Sequence, residues 1–166
     1  MRKPVVAIVM GSDSDLPVMR QASDVLKEFR VPHEVRILSA HRLPKETAAF
    51  AERAKQRGLK VIIAAAGGAA HLAGVAAAHT TLPVIGVPIE TKSLKGVDSL
   101  FSTVQMPPGV PVGTMAIGGA KNAALFAVEI LAVKDGKIAK QLSRYKQKMA
   151  KGVRLRDRKV GFHFPR

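Results

Sequence analysis

Short, wholly apolar runs along this chain alternate with longer stretches in which apolar residues recur every three or four positions. Pro4–Met10 (PVVAIVM), His33–Leu38, Lys60–Ala65 (KVIIAA) and Pro83–Val87 read as strands, the last closed by Pro88, and Val112–Ile117 reads as a weaker fifth. Leu16, Met19, Val25, Leu26 and Phe29 predict a first helix that Asp13, Ser14 or Asp15 can cap. Pro44–Arg57 predicts a second, the alanine-rich stretch Ala69–His79 a third, and Asn122–Val133 a helix apolar on nearly every side and hence buried. Strands apolar on both faces, joined through helices, belong to a parallel sheet covered on both sides. The pattern predicts a single α/β domain over residues 1–150 and a basic tail over 151–166. Ile138, Leu142, Tyr145, Met149 and Val153 form an apolar stripe on an otherwise basic helix that Gly152 is expected to end. That stripe has to be buried, on its own domain or on a neighbouring copy, and the sequence leaves both open.

Composition narrows the chemistry. A chain of 166 residues that is 47% hydrophobic can bury a full core, so disorder is excluded as its main character. It has no cysteine, which removes disulfides, thiolate metal sites and a cysteine nucleophile. The net charge of +15 is concentrated at one end. Residues 134–166 carry 12 basic and two acidic side chains, against 15 basic and 10 acidic in the other 133 residues. No Trp and one Tyr leave little to stack on nucleic-acid bases, so the basic end reads first as a solvated face. Neither a secretory leader nor an apolar stretch of about 20 residues is present, which points to a cytoplasmic protein without membrane attachment.

In an open parallel sheet, ligands bind beyond the carboxyl ends of the strands. Three unusual loops take that position: Gly11-Ser12-Asp13-Ser14-Asp15 after the first strand, Ser39-Ala40-His41-Arg42 after the second, and Ala66-Gly67-Gly68-Ala69-Ala70-His71 after the third. If the strands are neighbours, the loops share one crevice. Ser12 and Ser14, with main-chain N–H groups at a helix start, suit phosphate oxygens. Arg42 supplies a bidentate cation, and Asp15 can accept hydrogen bonds from ribose hydroxyls. Gly67-Gly68 lets main chain approach a flat ring. His41 is of the residue type that exchanges protons near neutral pH. Taken singly, these are ordinary helix caps and surface charges; three such loops at one topological position describe a site for a sugar phosphate bearing a small planar base. Dinucleotide, P-loop, nucleophile-elbow and HExxH motifs are absent, and His71 and His79, eight residues apart, bring no carboxylate with them in sequence.

The same three loops resemble the signatures of the 5-(carboxyamino)imidazole ribonucleotide mutase family, and Leu82–Pro88, Val104-Gln105-Met106-Pro107 and Ala120–Leu125 resemble further family segments in order. The resemblance covers roughly residues 4–150. It implies a flavodoxin-like three-layer domain, a homo-octamer in which the C-terminal helix packs on a neighbour, and an isomerase of de novo purine synthesis. That isomerase moves CO2 from the exocyclic nitrogen of an aminoimidazole ribonucleotide to ring carbon C4 without a metal or organic cofactor. Carried over by position, His41 is the general acid/base. Ser12, Asp15 and Arg42 bind the ribose phosphate, with Ser14 adding a phosphate contact, while Ser39, Ala66, Gly67, His71 and Leu72 line the pocket for ring and carboxyl. Ala65, Ala66, Ala69 and Ala70 are expected to form a dry, narrow wall for transient CO2.

Ala65 and Ala73 stand where the family usually has Gly and Pro, and Ala65 is expected to leave less room beside the ring. Ile117–Lys121 is about two residues shorter than in many relatives. Two other readings stay in view: direct carboxylation of aminoimidazole ribonucleotide by CO2, and a non-enzymatic nucleotide- or RNA-binding module driven by the basic end.

Overall fold

The computed structural model describes residues 3–160. Five parallel strands, β1 (Val6–Met10), β2 (His33–Ile37), β3 (Val61–Gly67), β4 (Val84–Ile89) and β5 (Gly113–Thr114), form one sheet in the order β2-β1-β3-β4-β5. This is the flavodoxin-like order. The helices are α1 (Leu16–Glu28), α2 (Pro44–Ala54), α3 (Leu72–Ala78), α4 (Val97–Val104), α5 (Ala120–Ala132) and α6 (Gly136–Val160), and a 3-10 turn at Asp13–Asp15 precedes α1.

Alternation along the strands divides the core. Val6, Ile8 and Met10 of β1 and Val61, Ile63 and Ala65 of β3 face α1 and α5. Ala7 and Val9, with Ile62 and Ala64, face α2 and α3. Every residue of β1 is buried on one face or the other, which explains its unbroken apolar run. β2 departs from that reading: it is the sheet edge, and Val35 and Ile37 are exposed.

Three elements differ from expectation. β4 runs through Pro88 to Ile89 instead of closing there. The Met115 N–H still reaches the Gly86 carbonyl at 2.9 Å, but Pro88 has no N–H to supply the next rung, so pairing with β5 stops there while the Pro88 carbonyl accepts from the Gly118 N–H at 2.8 Å. β5 itself shrinks from the expected Val112–Ile117 to two residues. α6 continues through Gly152 to Val160, so part of the expected tail is helical; residues 161–166 lie outside the described residues. Nothing packs near Gly152 except the far end of Arg156. A helical glycine costs only about 1 kcal/mol against alanine, too little to stop a helix.

α4 corresponds to no element in the sequence pattern. Its buried residues are Ser99 and Thr103, while Val97, Phe101 and Val104 are exposed. α6 packs along α5, and Ile138, Leu142 and Tyr145 reach the core beside Phe29. The first half of the apolar stripe is thus half-buried against its own domain, whereas Met149 and Val153 stay exposed. No helix among the described residues is long and apolar enough to cross a membrane.

Candidate active site

Strand register explains why the loops meet. Met10 is level with Ile37 on one side and Ala65 on the other. Hydrogen bonds carry that alignment one residue further, from the Leu38 N–H to the Met10 carbonyl at 2.8 Å and from the Gly11 N–H to the Ala65 carbonyl at 3.0 Å. The three chains therefore leave the sheet at one height. Between them is a cleft of about 210 Å³ lined by Ser12, Ser14, Asp15, Ser39, His41, Arg42, Ala66, Gly67, His71 and Leu72, together with Gly11, Ala40 and Ala69. The ten residues expected to form a site share it.

The first loop folds around Ser12. Ser12 caps the 3-10 turn, its Oγ accepting from the Ser14 N–H at 3.3 Å, and the Asp15 carboxylate reaches back to accept from the Ser12 N–H at 3.2 Å. Asp15 stands at the N-cap of α1 but makes no capping bond into that helix. Instead its carboxylate is turned into the first loop and is 6% exposed. Burial raises its pKa above the ordinary 3.8, and hydrogen bonds from Ser12 and Ser14 only partly oppose that.

Arg42 spans two loops. Its Nη2 donates to the Gly11 carbonyl at 3.3 Å and its Nε to Ser39 Oγ at 3.2 Å, which also accepts from the Arg42 N–H at 3.3 Å. Ser39 thus orients the guanidinium. Among the described residues no carboxylate pairs with Arg42, so the cleft keeps an unneutralised cation ready for an anion.

In the same cleft, His41 Nε2 lies 2.9 Å from His71 Nδ1, with the rings edge to face. His71 occupies the N-cap position of α3. Gly68, in the turn between β3 and His71, has a φ of 68°, a left-handed conformation that favours glycine. His79 lies outside the cleft and does meet a carboxylate, Glu52 of α2, at 3.1 Å.

Two expectations need correction. Ala65 is not beside the cleft; strand alternation turns it into the core under α1 and α5, where it is fully buried. Ala70 is buried as well, so of the four alanines only Ala66 and Ala69 line the wall. Ala73 packs in the core beneath α3. Sequence reasoning also missed α4, which touches the third loop from behind: Ser99 Oγ accepts from the Gly68 N–H at 2.9 Å and donates to the Ile89 carbonyl at 2.7 Å. A larger groove, of about 630 Å³, runs between β2 and α2 past Arg36, Lys45, Phe50 and Arg53, but it contains none of the three loops' polar groups.

Residues 5–152 match the family described as AIR carboxylase. The chain belongs to that family. Among AIR carboxylase relatives, the N5-carboxyaminoimidazole ribonucleotide mutase of Pyrococcus horikoshii is 54% identical over 158 residues, covering 95% of this chain and 89% of the relative. The phosphoribosylaminoimidazole carboxylase of Saccharomyces cerevisiae is 54% identical over 160 residues, which cover 96% of this chain but 28% of that longer protein. A crystal structure of Treponema denticola PurE has the same fold, with a TM-score of 0.87 at 28% identity, covering 96% of this chain and 99% of that one. The AIR carboxylase match takes in all three cleft loops and α4.

Proposed function

We propose that this chain is a mutase of purine biosynthesis that moves CO2 from the exocyclic nitrogen of 5-(carboxyamino)imidazole ribonucleotide to ring carbon C4. The observation that carries the reading is the shared cleft, which the unpaired Arg42, the Ser12–Asp15 turn and the His41–His71 pair all line. Relatives that bear the mutase name at 53–59% identity support the same reading.

The proton balance assigns the roles. The substrate is a carbamate, and protonation of its nitrogen lets the N–C bond break, its electron pair returning to nitrogen as CO2 leaves. The freed aminoimidazole is enamine-like, so C4 attacks the CO2 carbon and a C–C bond forms. C4 then bears both a hydrogen and the new carboxylate, and loss of that proton restores the aromatic ring. One proton enters at nitrogen and one leaves from C4, so a single imidazole that gives the first and takes the second closes the cycle. His41 is that group. Arg42, Ser12 and Ser14 hold the phosphate and Asp15 the ribose. The ring lies against Gly67 and Ala66, where the absence of long side chains admits a flat heterocycle. Confinement keeps CO2 near C4, and such proximity is worth effective molarities of up to about 10⁵–10⁸ M.

The working assembly is a homo-octamer. Two features support assembly: the apolar outer face of α4, where Val97, Phe101 and Val104 are exposed beside Leu94 of the preceding turn, and the size of the cleft. At about 210 Å³ it falls below the roughly 300–1,000 Å³ of ordinary ligand sites, so one chain walls only part of a ribonucleotide. Incubation of the purified protein with the N-carboxylated ribonucleotide tests the function: ring-carboxylated product supports it, and unaccelerated decay to aminoimidazole ribonucleotide contradicts it.

A further inference from the structure

Gly68 is held at both of its backbone polar groups by one face of α4. Its N–H donates to Ser99 Oγ at 2.9 Å, and its carbonyl lies 3.1 Å from Ser102 Oγ, whose single proton is shared with the Asp98 carbonyl at 2.7 Å. Ser99 is fully buried, and its own proton goes to the Ile89 carbonyl at 2.7 Å. Pairing between β3 and β4 ends at Gly67 and Ile89. The Ser99 hydroxyl therefore bridges the two strand ends just where the ladder runs out, and fixes the left-handed residue that starts the turn into α3. Beyond it the turn closes tightly, the His71 N–H donating to the Ala69 carbonyl at 2.9 Å. On the cleft side Gly67, Ala69 and His71 are exposed. The loop is thus tied from behind and open in front.

We propose that Ser99 is a positioning residue for the reaction: through Gly68 it sets the Gly67–His71 turn and so holds His71 within hydrogen-bond reach of His41. The inference rests on the mutase reading. A buried serine facing inward from α4 has no packing advantage over alanine, whereas its hydroxyl satisfies an N–H and a carbonyl that no strand reaches. Ser99 touches neither substrate nor reacting atoms. It acts only on the geometry of the ring wall and the histidine pair, where displacement of about 1 Å is enough to lower a rate about 100-fold.

The test compares Ser99→Ala with Thr103→Val, which removes the neighbouring buried hydroxyl's bond to the Ser99 carbonyl, 2.8 Å, without touching the third loop. Ser99→Ala is expected to lower kcat about 10- to 100-fold with KM within about threefold, because the phosphate and ribose contacts lie on other loops. Its crystal structure is expected to show the 67–71 turn displaced and the His41–His71 contact lengthened. Thr103→Val is expected to keep kcat within about twofold at a comparable melting temperature. An unchanged kcat in Ser99→Ala, an undisplaced turn, or an equal loss in Thr103→Val overturns the proposal. Absence of any mutase turnover in the unsubstituted protein would defeat the functional reading instead, and the position of the turn in the Ser99→Ala crystal would still decide the clamp.

Discussion

His41 and His71, 30 residues apart in sequence, share a hydrogen bond of 2.9 Å between Nε2 of the first and Nδ1 of the second. One of these nitrogens carries the bridging proton and the other offers its lone pair, because two N–H groups cannot face each other at this distance. While the contact holds, at most one of the two rings is an imidazolium. The contact orients the His41 ring, which the proposed reaction uses to take one proton in and give one back. His41→Asn should therefore lower kcat by about 10²–10⁴, the usual weight of general acid–base catalysis. Binding of the ring-carboxylated product, measured by calorimetry, should stay within about threefold of wild type. A kcat close to wild type would remove His41 from the mechanism.

On the proposed reading, Asp15 trades stability for binding. Its folded pKa is raised by burial, so between the ordinary value and the raised one the folded chain holds more protons than the unfolded chain. Stability then falls as pH rises through that window, and above it the ionised carboxylate is a standing cost. Asp15→Asn should melt at the same temperature or higher at pH 7, yet bind substrate about tenfold or more weakly for want of an anionic acceptor. Wild-type affinity should fall as pH drops through the raised value, and that of the Asn variant should stay flat. A lower melting temperature in the variant, or a pH-independent wild type, would contradict this account.

On the proposed reading Arg42 holds the phosphate, its planar fork fixed by Ser39 and Gly11. Lysine keeps the charge and loses the fork. Arg42→Lys should raise KM about tenfold with kcat within about threefold, the signature of lost uniform binding. An unchanged KM, or a loss confined to kcat, would move Arg42 out of the phosphate site.

Much of this arrangement is legible in the sequence, and what is not has physical causes. β1 and β3 were plain because every core position on both faces is apolar. Convergence of Ser12, Arg42 and His71 followed from the rule for parallel sheets once β1 lay between β2 and β3. α4 was invisible because its polarity is inverted, with Ser99 and Thr103 inward and Phe101 outward, so a search for an apolar inner stripe passes over it. Ala65 was misplaced although the signal was present. Successive strand residues point to opposite faces, and putting Ala66 in the cleft already sends Ala65 to the core. The His41–His71 contact left no sequence trace, because the loops' convergence does not specify where two exposed rings point.

The inverted polarity of α4 has an assembly consequence. Phe101 is 55% exposed on a face it shares with Val97 and Val104. Sedimentation of the purified protein should give a mass about eight times the 17.7 kDa of one chain. Phe101→Asp, which places a charge in that face, should shift the distribution to smaller species. A monomeric wild type would contradict the octamer, and an unaltered octamer in the variant would show that this face is not the one covered.

Isotope transfer tests the central claim most directly. Substrate labelled with ¹³C in its carbamate carboxyl is converted by the enzyme in unlabelled bicarbonate buffer, and the ring carboxylate of the product is analysed by mass spectrometry. Retention of most of the label in the product is the predicted result, because CO2 passes from nitrogen to C4 without leaving the cleft. Product carrying buffer carbon would mean that aminoimidazole ribonucleotide is carboxylated from solution, and would contradict the account.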